Sequence, residues 1–196
     1  MKLGIELDGL ERLVLASGSP RRREIMTAVG WPFEIRTPDV DELVRPGEDA
    51  VTYVQRLAEA KAEAVAESLE TGLVLAADTT VVIENEILGK PDDDQDARRM
   101  LTLLNGKWHE VLTGVTVLRV GVSKLTGFER TRVRFAEMTQ NEIDWYVSLQ
   151  EPLGKAGAYG IQGPAALFIK EIEGDYLNIV GLPIRLVYQL WQQLPR

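Results

Sequence analysis

The chain has 196 residues, 45% of them hydrophobic and 27% charged, with a formal net charge of −8. That length supports a substantial core, and the balance is that of an ordinary globular protein and not of a disordered one. There is no cysteine and a single histidine, which excludes disulfides, thiolate catalysis and metal sites built on several histidines. The negative net charge disfavours nucleic acid and anionic membranes as partners, so a polyanionic substrate would need a locally basic pocket, a cation, or both. No stretch approaches the roughly 20 apolar residues of a membrane span, and the N-terminal segment MKLGIELDGLER lacks a leader-like apolar core. A soluble, cytoplasmic protein is the expectation.

Leu13-Val14-Leu15-Ala16 reads as a short buried strand. Ser17-Gly18-Ser19-Pro20 follows, with Ser19 suited to the N-cap of a helix and Pro20 to its first position. Three arginines, Arg21 to Arg23, open that helix. Ile25, Met26 and Val29 supply its apolar face, and Gly30 suits its end. Backbone N–H groups at a helix start, small residues and arginines together can make an anion site. A capped helix with a solvated basic face is the equal alternative.

Phe33 to Arg36 alternates like a strand and precedes an acidic stretch, Asp39-Val40-Asp41-Glu42. Residues 48–69 read as a long helix with Val51, Val54, Ala58, Val65 and Leu69 in one stripe. Lys61 falls inside that stripe, so it either snorkels outward or points into a cleft. The run Leu73 to Ala77 reads as a second buried strand ending directly at Asp78. A carboxylate at such a strand end lies where open α/β sheets bind ligands, although a turn or capping role is as common.

Val81 to Ile83 and Ile87-Leu88 suggest a hairpin, broken by Gly89-Lys90-Pro91. A helix is expected over 93–104, long strands over 111–120 and 130–136, and a capping box at Thr139 and Glu142. The segment EPLGKAGAYGIQG, from Glu151 to Gly163, reads as a glycine-bearing loop in which Gln162 can hydrogen-bond a ligand. Leu167 to Ile169 and Leu177 to Val180 look like paired strands, and Pro183 starts a last amphipathic helix. His109, at a strand start, reads as structural. Interleaved helices and strands with hairpin connections predict an α/β fold with a mixed sheet.

Several enzyme classes drop out. There is no G-x-x-x-x-G-K-[ST] phosphate loop, and Asp78-Thr79-Thr80 lacks the second aspartate of aspartyl-phosphate phosphatases. The lone histidine has no serine elbow.

In order and spacing, LASGSPRRREIM, DVDE, RLAEAKAEAV, AADTTVVIENEILGKP, ARRMLTLLNGKWHEVLTGV and EPLGKAGAYGIQGPAALFIKEIEGDYLNIVGLP resemble the Maf family of nucleotide pyrophosphatases over about residues 13 to 190. The resemblance implies one domain over 1–196, with a fold similar to inosine-triphosphate pyrophosphatases: a mixed α/β structure of two lobes around a central cleft, often a homodimer. It implies a divalent cation, magnesium or manganese, and cleavage between the α and β phosphates of a nucleoside triphosphate.

By motif matching, Asp78, Glu42, Lys61 and Lys90 would form the catalytic group, with Asp78 the general base and Glu42 and Asp78 on the metal. Ser17, Arg21, Arg22, Thr79 and Gln162 would contact substrate. In the family branch that acts on 7-methyl-GTP the motifs look like S-P-W-R, S-D-Q and a glutamate in the glycine loop. Here those positions read Arg21, Thr79 and Gln162, which points to dTTP and UTP. Thr79 would leave room and a hydroxyl near the base. A nucleotide-binding regulator of septum formation without turnover is the alternative.

Overall fold

The structure is a computed structural model that describes residues 12–195. The N-terminal segment read above as lacking a leader-like core lies outside those residues except for Arg12. Among the described residues, no helix is long and apolar enough to cross a membrane.

The strands β1 (Leu13–Ala16), β2 (Glu34–Arg36), β3 (Leu73–Ile83), β4 (Glu86–Leu88), β5 (Trp108–Arg119), β6 (Ser123–Phe135) and β7 (Ile169–Glu173) form one sheet. Its order is β2-β1-β3-β5-β6-β7, with β4 paired to β3. β1 is parallel to both β2 and β3, and the remaining pairs are antiparallel. The sheet is therefore mixed, as hairpin connections between apolar runs require. The helices are α1 (Pro20–Val29), α2 (Ala50–Ala66), α3 (Asp94–Leu104), α4 (Gln140–Ser148), α5 (Tyr176–Val180) and α6 (Ile184–Gln193).

Strand alternation sends successive side chains of β3 to opposite faces. Val74 and Ala76 pack with Ala62 and Val65 of α2. Leu73, Leu75 and Ala77 face the other way, into a core with Ile25 and Met26 of α1 and Val187 and Leu190 of α6. Farther along the same face, Val81 and Ile83 join Ala97, Leu101 and Leu104 of α3 and Ile143 and Tyr146 of α4. These are two separate cores at the two ends of the long strands, and they make the two expected lobes. On the α2 face the sheet is bare at one point. A Cβ on Gly114 would lie 2.2 Å from the Val54 carbonyl oxygen, so the backbone of α2 lies directly on β5 there.

Four expectations need correction. β3 does not end at Asp78 but continues to Ile83, because β5 pairs it without a break from Leu73 to Val82. β5 and β6 likewise begin or extend beyond the apolar runs that suggested them. Leu167 and Phe168 belong to a 3-10 turn, and Leu177 to Val180 lie in α5 and not in a strand. The Asp175 carboxylate accepts from the Leu177 N–H, and Gly181, at φ 117°, ends the helix. A capped single turn therefore wins over an apolar run that looks extended. Val29 is exposed, since Ile25 and Met26 suffice to seat α1.

Candidate functional site

The site begins as a gap in pairing along one edge of β3. β1 pairs with Leu73 to Ala76 and then stops, while β4 pairs with Val81 to Ile83 on the same edge. The intervening residues, Ala77 to Thr80, have β5 on one side and no strand on the other. A cleft of about 830 Å³ opens there, lined from both faces of the sheet, a size suited to a small-molecule ligand. Asp78 thus lies where parallel pairing ends, as at the ligand-binding crevice of open sheets, although it is in mid-strand.

Asp78 projects toward α2 and Thr79 toward α1, so the alternation of one strand serves two clusters. In the first, Lys61 is buried and its Nζ lies 2.5 Å from Asp78 Oδ1 and 2.6 Å from Glu42 Oε1. Lys90 Nζ reaches Glu42 Oε2 at 2.9 Å. The charges alternate: carboxylate, ammonium, carboxylate, ammonium. Burial raises the Glu42 pKa, but hydrogen bonds from Lys61 and Lys90 outweigh it and hold the carboxyl at about 2. The group therefore stays ionised at neutral pH.

Glu42 comes from an irregular loop, which Tyr53 of α2 fixes by donating its hydroxyl to the Glu42 carbonyl at 2.9 Å. Burial, together with the charges of Asp78 and Glu42, pushes the Tyr53 hydroxyl up to about 12. Sequence reasoning missed Tyr53 although a signal existed, since Tyr53, Leu57 and Lys61 recur at four-residue intervals on one helical face.

In the second cluster, Arg22 is 9% exposed and has no carboxylate partner. Its Nε donates to the Gly181 carbonyl at 2.7 Å, and its terminal nitrogens donate to Ser17 Oγ at 3.2 Å and Thr79 Oγ1 at 3.0 Å. A guanidinium has five donors, so two remain for a ligand. Burial lowers the Arg22 pKa, opposed by the attraction of Asp78. A buried cation that meets only neutral acceptors is costly unless an anion completes it. Arg21 also lines the cleft and makes no hydrogen bond or ion pair among the described residues. Ser19 occupies the N-cap position, but its side chain makes no capping bond; instead its N–H donates to Ser17 Oγ.

The glycine loop closes the far side. Gln162 is exposed on the cleft wall, beside buried Tyr159 and Ile161. Glu151 braces this loop through the Tyr146 hydroxyl and the Lys155 ammonium. A Cβ on Gly160 or Gly163 would press on the Glu151 carboxylate at 2.8 or 2.9 Å, so the loop wraps that side chain closely. His109 is buried, with Nε2 2.8 Å from the Tyr159 hydroxyl. Burial holds it neutral, with a pKa lowered to about 3, in keeping with a structural role.

Every residue singled out from sequence lines this one cleft: Ser17, Arg21, Arg22, Glu42, Lys61, Asp78, Thr79, Lys90 and Gln162. Among the described residues no group of three or more His, Asp or Glu side chains is arranged to cage a metal ion. The donor set that does converge is Glu42 and Asp78, both on Lys61 Nζ. Two carboxylates fit a hard cation of the magnesium type, which takes one or two carboxylates and completes its shell with water and substrate phosphates.

A family model described as Maf-like protein matches residues 12–194. A dTTP/UTP pyrophosphatase of Bacillus cereus is 47% identical over 188 residues, covering 95% of this chain and 92% of that protein. A dTTP/UTP pyrophosphatase of Symbiobacterium thermophilum is 47% identical over 184 residues, covering 94% of each. Among solved structures, the Ham1 protein of Staphylococcus aureus is 14% identical and covers 93% of this chain and 99% of that one, with a TM-score of 0.53. That last likeness is one of fold.

Proposed function

The chain belongs to the Maf family, and from that premise we propose that it hydrolyses dTTP and UTP to the nucleoside monophosphate and pyrophosphate, acting as one catalytic unit. The observation that carries this reading is the meeting, at one gap in β3, of a buried arginine lacking a carboxylate partner and a lysine-bridged pair of carboxylates. The first calls for an anion and the second can handle a proton. The names of the relatives, dTTP/UTP pyrophosphatases, support the choice of substrate.

In this mechanism Arg22, with Ser17 and Arg21, binds the phosphate chain at the start of α1. Asp78 uses Oδ1 to accept from Lys61, leaving Oδ2 to orient a water and take its proton. The water oxygen attacks the α-phosphorus, the bond from that phosphorus to the bridging oxygen breaks, and pyrophosphate leaves with the bond's electron pair. Lys61 and Lys90 sit where they can stabilise that departing charge. A divalent cation held by Glu42 and Asp78 would neutralise phosphate charge and polarise the α-phosphorus. Gln162, on the opposite wall, offers an acceptor and donors that match the N3–H and O4 of uracil or thymine.

The test is pyrophosphate release with magnesium from UTP, dTTP, CTP and 7-methyl-GTP. The expected result is the highest kcat/KM for UTP and dTTP. No pyrophosphate from any triphosphate would overturn the enzyme in favour of a binding protein without turnover. A preference for 7-methyl-GTP would overturn the base assignment. Gln162→Glu is expected to lower kcat/KM for UTP and dTTP together relative to CTP and 7-methyl-GTP, and an unchanged ranking would remove Gln162 from base recognition.

A further inference from the structure

We propose that Thr79 acts on the phosphates through Arg22, as a positioning residue at the head of a directional hydroxyl relay. The proposal rests on the triphosphate reading above and departs from the expectation that the Thr79 hydroxyl serves the base. Arginine can only donate and a backbone carbonyl can only accept, and these two ends fix every bond between them. Arg22 donates to Thr79 Oγ1 at 3.0 Å. Thr79 Oγ1 lies 2.9 Å from Thr113 Oγ1. Thr113 lies 3.1 Å from the Asn178 carbonyl and must donate to it. The Thr113 proton is thereby spent, so Thr79 must supply the proton of the hydroxyl–hydroxyl bond. Thr79 has then accepted from Arg22 and given its only proton to Thr113, and none remains for a base acceptor such as O4.

The far end of the relay is rigid. Asn178 is fully buried, and its amide nitrogen donates to the Val111 carbonyl at 2.9 Å and to Thr131 Oγ1 at 3.0 Å. Arg22 Nε is held by the next carbonyl anchor along, Gly181, at 2.7 Å. The backbone of Gly181 passes so close that a Cβ there would lie 3.4 Å from Thr79 Oγ1 and 3.6 Å from Arg22 Nε. Two anchors on one short segment, Asn178 through the relay and Gly181 directly, therefore fix the guanidinium plane. The two donors left over point from a fixed plane, and this geometry suits phosphate oxygens.

The experiment compares Thr79→Val, Thr79→Ser and Thr113→Val with the parent. Thr113 is fully buried and is not among the residues that line the cleft, so an effect on ligand binding has to be relayed. Three affinities are read by calorimetry in magnesium: that of tripolyphosphate, which has no base, and those of UTP and CTP as their α,β-methylene analogues, whose bridge is not hydrolysed. Because binding is measured directly, the relay is judged whether or not the protein turns nucleotide over. Thr79→Val is expected to weaken tripolyphosphate and both nucleotides alike, by roughly tenfold or more, the usual scale for a hydrogen bond to a charged group. Thr113→Val should move them in the same direction, and Thr79→Ser should restore the parent values. The UTP-to-CTP ratio should stay constant throughout. If Thr79→Val changes that ratio while tripolyphosphate affinity holds, Thr79 reads the base and the relay is overturned. Parent-like affinities in both valine variants would overturn it too. Should Thr79→Val not fold, Thr79→Ala gives the same comparison with less bulk.

Discussion

At Asp78 the structure separates shape from charge. Its Oδ1 accepts from Lys61 at 2.5 Å, a bond that an amide oxygen can also accept. Asp78→Asn therefore keeps the lysine in place and loses the negative charge that takes a proton and would help hold the cation. Loss of a positioned base costs about 10²–10⁴-fold in rate, so kcat for UTP should fall by that order. Binding of UTP measured by calorimetry without a divalent cation, so that neither protein turns it over, should hold or tighten, because one negative charge near the triphosphate is gone. Turnover near the parent value would remove Asp78 from the proton transfer. Glu42 differs. Its two lysine contacts keep it ionised down to about pH 2, so it cannot exchange a proton near neutrality and its part is electrostatic.

Among the elements, α2 is the one whose distance from the sheet sets the site. It carries Lys61 and Tyr53, and it lies against β5 at Gly114, the residue directly across from Asp78 in the antiparallel pair. A methyl group at Gly114 would meet the Val54 carbonyl oxygen at 2.2 Å and the Gln55 nitrogen at 2.8 Å. Both are backbone atoms, so no side chain can swing aside and the whole helix must lift. Gly114→Ala is expected to cost about 1–3 kcal/mol or more in urea unfolding, as overpacking does. Turnover at a temperature where the variant is still folded should fall as well, since Lys61 moves off Asp78. Parent-like stability would mean that α2 has room to retreat. The value of this glycine was hidden in the sequence, where TGVT reads as one more residue pair of a strand. The same holds for α5: its apolar run suggested a strand, and only Asp175 before it and Gly181 after it carried the helical signal. The continuous apolar runs Leu13 to Ala16 and Leu73 to Ala77, by contrast, were legible because burial on both faces leaves no polar residues in them.

Over the whole molecule, a chain of net charge −8 concentrates Arg21, Arg22, Lys61 and Lys90 around one gap in the pairing of β3. The cleft-lining residues named from sequence were legible as a set, through the family resemblance; taken singly, Glu42, Lys61 and Lys90 read equally well as surface residues, and Tyr53 was missed. Their division between two faces of β3 was not, because it requires the strand to continue through Asp78 and Thr79, past the point where the apolar run ends. Two cores flank the cleft, and His109 lies where β5 enters the one built on α3 and α4. It stacks edge-on against Phe135 and Tyr159 and is 2% exposed. Burial lowers its pKa from 6.5 to about 3, so the folded state carries it neutral. The unfolded chain binds a proton there once the pH falls below 6.5, and the folded chain does not until about pH 3. Stability from this group is thus complete above pH 6.5 and is lost as the pH falls, at about 1.4 kcal/mol per pH unit. His109→Phe keeps the aromatic contacts and removes the titration, although it leaves the Tyr159 hydroxyl unpaired, at about 1–3 kcal/mol. The same change removes His109 Nδ1, which is buried with no hydrogen-bond partner, so the two effects oppose each other at pH 7. Between pH 6.5 and 5 the stability difference should shift by about 2 kcal/mol in favour of the variant, since carboxylates titrate equally in both proteins and cancel. Urea unfolding of the pair at pH 7 and pH 5 measures this directly. A difference that stays constant across that interval would mean that His109 is protonated in the folded state or already neutral in the unfolded one.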